Sequence, residues 1–385
     1  WIELQRDQNQ KGIEKYADDI IKNKFPIGVF MIDGGWQKYQ GNYEFRPEAF
    51  TDPKAMFDKI NGMGFKTLLW VGPFVAPDSP EYRDLKNKGI LIMRKSRKSP
   101  GILHWWSGYS AAYDLTKPEA VESLKGTLRD MQKKYGMHGF KFDAGDTKFV
   151  VGDFKFNKPD QIPMDYTHEW SKFALDFPYN EFRANARMGG QPVVLRLQDK
   201  HHTWKDLRQI IPDMLAAGIM GYPYTCPDMI GGGDYVSFQP GAELDEKLVV
   251  RSCQAHALMP MMQFSVAPWR VLSKKNMEIC RKFARLHEKF GPYILELARN
   301  ASKTGEPIVR YMEYEFPNQG FENCKDQFML GPKYLVAPII TEADEREVML
   351  PAGEWKDDLG NVVKGPTTIK VSAPIERLPY FEKIK

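Results

Sequence analysis

The feature that most constrains the fold of this 385-residue chain is a repeated alternation of short apolar strands with amphipathic helices. We predict strands at residues 1–4, 27–32, 66–70, 139–142, 192–197, 221–225, 261–266 and 308–316. We predict helices at residues 11–23, 117–135, 203–217, 245–258 and 275–301, and a further helix that opens at Asp52-Pro53 and closes at Gly62 and Gly64. No glycine-rich phosphate-binding fingerprint follows the first strand. The pattern therefore predicts an α/β fold, a (β/α)8 TIM barrel rather than an open doubly wound sheet.

The pattern changes near residue 318. Short apolar runs at 334–337, 346–350 and 367–371 alternate with Pro and Gly, without a helix of useful length. We therefore predict a catalytic barrel over 1–317, with an insertion over its rim near 73–108, and a C-terminal β-sandwich domain over 318–385. The strand-like start of the chain at Trp1, without an initiator Met, leads us to expect a further segment upstream.

Composition excludes several classes of function. The formal net charge of +4 is small for this length and does not indicate a nucleic-acid partner. No apolar run approaches the roughly 18 residues that a membrane span needs. The four cysteines are widely spaced, which favours free thiols over a disulfide framework or a metal site. His201 and His202 are adjacent, so their side chains do not easily converge on one metal, and we expect solvated or capping roles for them.

Polar side chains instead gather at predicted strand ends. Asp143 follows the strand 139–142 directly, and Asp228 follows the strand 221–225. The residues at or just past such ends are Asp33, Trp70, Asp143, Asp146, Asp199 and Asp228. Barrel enzymes keep their chemistry at this rim. Asp143 alone could equally cap the next segment or pair with Lys141, but two acids on one rim suggest a catalytic pair.

A carboxylate-rich rim with abundant aromatic residues and no metal or cofactor signature suits glycoside cleavage, with an oligosaccharide or glycoside as the partner. The motifs that carry a family resemblance are 141–146, 187–191, 199–204, 207–208 and 218–232, followed by 326–331, 335–338 and 348–355. In this order they resemble glycoside hydrolase family 31, over nearly the whole chain. The resemblance implies a retaining α-glycosidase whose barrel is preceded by an N-terminal β-sandwich.

The resemblance also implies roles for individual residues. Asp143 would be the nucleophile and Asp228 the general acid/base. Among the substrate-binding residues, Asp33 would hold sugar hydroxyls, Arg187 would lie beside the nucleophile, and Trp70 would form an aromatic wall. The remaining substrate-binding candidates are Trp36, Lys141, Asp146 and Asp199. For Trp70, core packing is an alternative, and for Arg187 a salt bridge to Asp143 or Asp146.

Two departures from the common family pattern bear on the sugar. Residues 262–265 lack the histidine found in typical α-glucosidases of the family, and the turn at Asp228 begins with Pro227 rather than His. Both changes resemble the branch with α-galactosidase-type members. We expect the stretch Asp33 to Trp36 to read the axial 4-hydroxyl of galactose, because its two glycines open space beside the acid. α-Glucosidase or α-xylosidase activity, a catalytically silent sugar-binding relative, and a metal-dependent isomerase are the alternatives.

Overall fold

The computed structural model describes residues 1–2, 8–239 and 241–385, with the side chain of residue 235 left out. The helices are α1 Gln10–Lys22, α2 Pro53–Gly62, α3 Pro80–Asn87, α4 Pro118–Tyr135, α5 Pro163–Ser171, α6 Trp204–Ile219, α7 Glu246–Ala257, α8 Pro268–Val271, α9 Lys274–Thr304 and α10 Met312–Glu315. Short 3-10 helices lie at Thr147–Val150, Lys172–Leu175 and Tyr235–Phe238.

The strands are β1 Val29–Ile32, β2 Lys66–Val71, β3 Phe74–Val75, β4 Leu103–Trp105, β5 Gly108–Ala112, β6 Gly139–Phe142, β7 Asn180–Phe182, β8 Leu195–Arg196, β9 Thr225–Cys226, β10 Met229–Ile230, β11 Gln263–Phe264, β12 Val309–Arg310, β13 Phe328–Leu330, β14 Tyr334–Val336, β15 Glu345–Asp357, β16 Val362–Ser372 and β17 Tyr380–Lys383. The chain forms two compact units, one built mainly from Ile27–Leu195 and the other mainly from Arg196–Lys385.

Unit 1 is organised around a parallel sheet that places the acid of β6 at its edge. Strand β6 lies between β2 and β7, with Leu69 opposite Phe140 and Phe140 opposite Asn180. All four residues of β6 are buried, as expected for a parallel strand that is covered on both faces. The rim insertion contains α3 and a three-stranded antiparallel sheet in the order β3-β5-β4.

Unit 2 contains the strands β9, β10 and β11, of which β10 and β11 pair in parallel. Its C-terminal part is a six-stranded sheet in the order β12-β13-β14-β17-β15-β16, with antiparallel neighbours. Trp355 is the centre of the core of this sheet, fully buried and donating its indole N–H to the Pro351 carbonyl at 2.9 Å. The four cysteines are free thiols, as the sequence predicted.

Two predicted strands differ from the structure. The strand predicted at 308–316 is only Val309–Arg310, which pairs antiparallel with β13, and the helix α10 follows it. It belongs to the C-terminal sheet and is not a barrel strand. The opening strand predicted at 1–4 falls partly outside the described residues, and Ile2 makes one bridge through its amide to the Phe264 carbonyl. Strand β7 was not among the strands predicted from the sequence.

Candidate active site

Asp143 lies where the sequence places it, at the C-terminal end of β6. Its amide extends the pairing of β6 with β2 by donating to the Val71 carbonyl at 2.9 Å. The chain then turns through Ala144 and Gly145, which have φ values of 56° and 74°. A Cβ on Gly145 would lie 2.3 Å from the Trp170 ring, so only glycine fits this turn. The turn therefore fixes the direction in which the Asp143 carboxylate points.

Four donors hold the carboxylate of Asp143. Its Oδ1 accepts from Nε of Arg183 at 2.9 Å and from the Ala144 amide at 2.8 Å. Its Oδ2 accepts from the indole N–H of Trp70 at 2.9 Å and lies 3.5 Å from Nζ of Lys141. Hydrogen bonds from cations and from N–H groups favour the ionised carboxylate. These contacts thus hold the carboxylate of Asp143 in place at the edge of the parallel sheet.

Two further predicted residues join this group. Nζ of Lys141 lies 3.4 Å from Oδ1 of Asp33, so that one ammonium group bridges Asp33 and Asp143. Trp70 is nearly buried and stacks on Trp105, with 6.5 Å between the ring centroids and 12° between the planes. Trp70 is therefore packed in the core and also donates its indole N–H to Asp143.

Trp36 does not lie where a sugar could meet it. It is fully buried, and its indole N–H donates to the Trp70 carbonyl at 2.8 Å. The substrate contact predicted for Trp36 is therefore replaced by a supporting role beneath the strand that carries Trp70.

Arg183, rather than Arg187, is the arginine at the candidate nucleophile. Besides contacting Asp143, its Nη1 and Nη2 donate to the two oxygens of Asp146 at 2.9 and 2.7 Å. Burial alone would lower the pKa of Arg183, but Asp143 and Asp146 raise it above its ordinary value. Arg187 is half exposed and pairs with Asp165 at 2.6 Å. Arg183 was not predicted from the sequence, because it follows strand β7, whose end would have been the signal.

In unit 2, Asp228 occupies a closed environment. It has a φ of 115° and no exposed surface. Its Oδ1 accepts from Nη1 of Arg196 at 2.9 Å, and its Oδ2 accepts from the amides of Lys200 at 2.7 Å and Gly233 at 3.1 Å. Burial raises the pKa of Asp228 to about 6, against the opposing charge of Arg196. A raised pKa suits a general acid, but a proton donor must also reach the leaving oxygen, and both oxygens here face N–H donors. The burial of Asp228 does not favour direct proton donation, and its role as the proton donor stays a prediction.

Asp199 is the accessible acid of the same cluster. Its side chain is 52% exposed, and its Oδ1 lies 2.5 Å from Nη1 of Arg196, the atom that also contacts Asp228. A Cβ on Gly233 would lie 3.0 Å from an oxygen of each acid, so glycine is needed beside them. The sequence analysis placed Asp199 at the rim but did not identify Arg196, which connects the two acids.

The histidines act separately, as expected. Nδ1 of His202 lies 2.8 Å from the Gly231 carbonyl and its Nε2 accepts from the Asp245 amide, while His201 faces Asp234 at 3.5 Å. Across residues 1–2, 8–239 and 241–385, no group of three or more His, Cys, Asp or Glu could hold a metal ion. None of the described helices is long and apolar enough to cross a membrane.

Comparison with known families decides the class of protein. Residues 2–297 match the family described as "Glycosyl hydrolases family 31 TIM-barrel domain", and residues 305–384 match "Glycosyl hydrolase family 31 C-terminal domain". The chain belongs to glycosyl hydrolase family 31. The resemblance recognised from the sequence motifs is therefore confirmed.

Curated relatives of this family 31 chain include the myogenesis-regulating glycosidase of Mus musculus, 30% identical over 99% of this chain and 55% of the relative. Another is the alpha-xylosidase XylQ of Lactiplantibacillus pentosus, 26% identical over 94% of this chain and 49% of the relative. The chain thus spans about half the length of these relatives.

Solved structures of family 31 members confirm the fold. The Flavobacterium johnsoniae dextranase complexed with glucose superposes with a TM-score of 0.87 at 24% identity, over 98% of this chain and 50% of that one. The α-xylosidase from a soil metagenome complexed with xylose gives 0.85 at 22% identity, over 98% and 62%. Together with the family matches, this likeness confirms a TIM barrel followed by a C-terminal β-domain.

Proposed function

We propose that this chain carries the catalytic machinery of a retaining, exo-acting α-glycosidase in which Asp143 is the nucleophile. The observation that carries the proposal is the environment of Asp143, a carboxylate at a barrel strand end that is fixed by Arg183, Lys141 and Trp70. A nucleophilic carboxylate must be charged and correctly oriented before the substrate arrives. These three donors supply both conditions.

In the first step, an oxygen of Asp143 forms a bond to the anomeric carbon while the bond from that carbon to the aglycone oxygen breaks. The departing oxygen needs a proton. We assign this proton transfer to Asp199, in its protonated form, because it is exposed while Asp228 is closed. Asp228 would instead position Arg196, and Arg196 would hold Asp199.

In the second step, Asp199, now a carboxylate, removes a proton from water as the water oxygen attacks the anomeric carbon. The bond to Asp143 breaks, and the carboxylate of Asp143 is regenerated. Two inversions at one carbon retain the α configuration. Hydrolysis therefore ends with both acids in their starting protonation states.

For the sugar, we propose an α-galactoside, with Asp33 as the group that binds the 4- or 6-hydroxyl and Lys141 as its partner. Support comes from the position of Asp33, which is partly exposed and lies 3.4 Å from Nζ of Lys141. An α-xyloside is the second candidate, because α-xylosidases are among the relatives at 26% and 24% identity.

The test is a panel of 4-nitrophenyl α-glycosides, with the anomer of the first product followed by NMR. We expect the α-galactoside to be cleaved at least about tenfold better than the α-glucoside or α-xyloside, with the α anomer formed first. Better cleavage of the α-xyloside would change the proposed substrate from an α-galactoside to an α-xyloside, without affecting the proposed mechanism. A β product would refute retention. Sugar binding without turnover of any glycoside would indicate a catalytically silent relative.

The roles of Asp199 and Asp228 can be distinguished by how the rate of cleavage depends on the leaving group of the substrate. Asp199→Ala should slow alkyl glycosides far more than activated aryl glycosides, because only the alkyl leaving group needs a proton. Asp228→Asn should slow both classes to a similar extent. The reverse pattern would return the acid role to Asp228, and a glycosyl adduct trapped on a residue other than Asp143 would defeat the nucleophile assignment.

A further inference from the structure

A cavity of about 450 Å³ in unit 1 has a strongly basic lining that the proposed glycosidase mechanism does not use. The rim insertion forms one side and the segment after Thr147–Val150 the other. The cationic residues of the lining are Arg94, Lys95, Arg97, Lys98, Lys117 and Lys155. The lining contains one carboxylate, that of Asp114.

The positive charge of the cavity is largely uncompensated. Lys117 lies 3.9 Å from Asp114, and the other five cations form no ion pair within 4.0 Å in the described part of the chain. Asp114 is itself buried, and burial raises its pKa. Holding like charges around one cavity is unfavourable without a counter-charge. The arrangement therefore favours an anion inside the cavity.

Backbone hydrogen bonds order the segments that carry the cationic residues. The Arg94 amide donates to the Ser99 carbonyl at 3.0 Å, and the Lys155 amide donates to the Met93 carbonyl at 2.7 Å. The Ser96 amide donates to Asp153 at 2.9 Å, which ties the basic loop to the opposite wall. These bonds order the backbone that carries the exposed side chains of Lys95, Arg97 and Lys98, unlike the backbone of a flexible basic tail.

We infer that this cavity binds the phosphate or sulfate ester group of a small ligand. Arginine guanidinium groups match tetrahedral oxyanions with paired N–H donors, and lysine adds point charges. The volume falls within the range of small-molecule sites. Phe156, the aromatic residue of the lining, is buried, so the cavity offers no stacking surface for the bases of a single-stranded nucleic acid. The inference does not depend on glycoside cleavage.

The test is calorimetric titration of the protein at low and at physiological salt. The probes are inorganic phosphate, inorganic sulfate, glucose 6-phosphate and a fully sulfated disaccharide. We expect an ester to bind at least about tenfold more tightly than either inorganic ion, because the cavity is larger than one oxyanion. We also expect affinity to fall with salt. Equal binding of esters and free ions would restrict the site to the free anion.

The variant is Arg97→Glu with Lys98→Glu, and its matched control is Lys86→Glu with Lys133→Glu, exposed positions of the same unit with the same change in charge. The first should lose at least about tenfold in affinity, and the control should lose little. A milder double variant, Arg97→Gln with Lys98→Gln, removes the two charges without reversing them. Thermal unfolding of this variant shows whether a loss of affinity reflects misfolding. Equal losses in variant and control, or no binding of any probe, would overturn the inference.

Discussion

At the scale of the residue, Arg183 is the group whose geometry is least replaceable. All three of its guanidinium nitrogens donate to carboxylates, at 2.9, 2.9 and 2.7 Å. Lysine has one nitrogen and cannot reproduce this fork. Each lost charge-assisted hydrogen bond costs about 1.5–3 kcal/mol.

We therefore expect Arg183→Lys to lower kcat/KM by at least about 100-fold on the preferred glycoside. Arg187→Lys is the matched control, because Arg187 is half exposed and pairs with Asp165. It should change kcat/KM less than about threefold. Steady-state kinetics of both variants would check this, and a larger loss in the control would restore the role that the sequence predicted for Arg187.

Asp228 should leave a signature in the pH dependence of stability. Its pKa is raised from 3.8 to about 6 by burial, so between these values the folded state binds more protons than the unfolded state. Stability from this group is therefore present below about pH 4 and is lost as pH rises to about 6, by up to about 3 kcal/mol. Asparagine does not titrate.

The free energy of unfolding of Asp228→Asn, relative to the wild type, should accordingly rise between pH 4 and pH 7. Chemical denaturation at several pH values measures it, with the exposed Glu342→Gln as the control for loss of one charge. A difference that falls over this range would mean that the Arg196 charge outweighs burial and that Asp228 is ionised throughout.

At the scale of the element, the end of α4 determines where the chain leaves the helix before β6, the strand that precedes Asp143. Gly136 ends the helix with a φ of 81°, and its amide donates to the Gln132 carbonyl. Gly136→Ala should destabilise the protein by about 1 kcal/mol, because alanine is strained at this φ. Gly126, inside the same helix and with open space around it, is the control: Gly126→Ala should stabilise by about 0.5–1 kcal/mol. Thermal unfolding of both variants checks the contrast in sign.

Long elements were predicted from the sequence more successfully than short ones. Helix α4 with its glycine stop and the four-residue strand β6 were predicted, because apolar periodicity and capping signals repeat over many residues. Strand β7 has three residues, too few to carry a period, and it was not predicted. Arg183 follows this strand and was not considered, whereas Arg187 was assigned from the family resemblance. Strand β12 pairs with β13, a choice of partner that depends on tertiary packing.

The acids illustrate a second limit. A sequence can place an acid at a strand end, and Asp143 was found that way. It cannot say whether the carboxylate faces solvent. Asp199 and Asp228 contact the same atom of Arg196, yet one is 52% exposed and the other fully buried. Accessibility is set by how residues far apart in the chain pack, and it is the reason why we propose Asp199 rather than Asp228 as the proton donor.

At the scale of the whole molecule, Arg251 joins helix α7 to the C-terminal segment of unit 2. It is fully buried and donates to the Ala373 carbonyl at 2.7 Å and to Asp344 at 3.0 Å. Arg251→Met should lower the free energy of unfolding by about 3–5 kcal/mol, because the acceptors are left without their donor.

The control for this prediction is Lys247→Met, one turn earlier in α7. Lys247 contacts the same Asp344 at 3.0 Å but from the surface, and its replacement should cost about 0–1 kcal/mol. Denaturant unfolding of both variants measures the difference. Similar small losses in the two would show that the buried arginine does not hold the C-terminal segment.

The basic cavity also shapes the electric field around the molecule. Six cations and one carboxylate line it, whereas the formal net charge of the entire chain is +4. The lining alone therefore carries a larger excess of positive charge than the entire chain, which makes the cavity a positive pole of the molecule. Such a pole steers anions toward one side of the molecule and speeds their encounter at low ionic strength. Association rates with anionic ligands should consequently fall steeply with salt, while those with neutral sugars should not change.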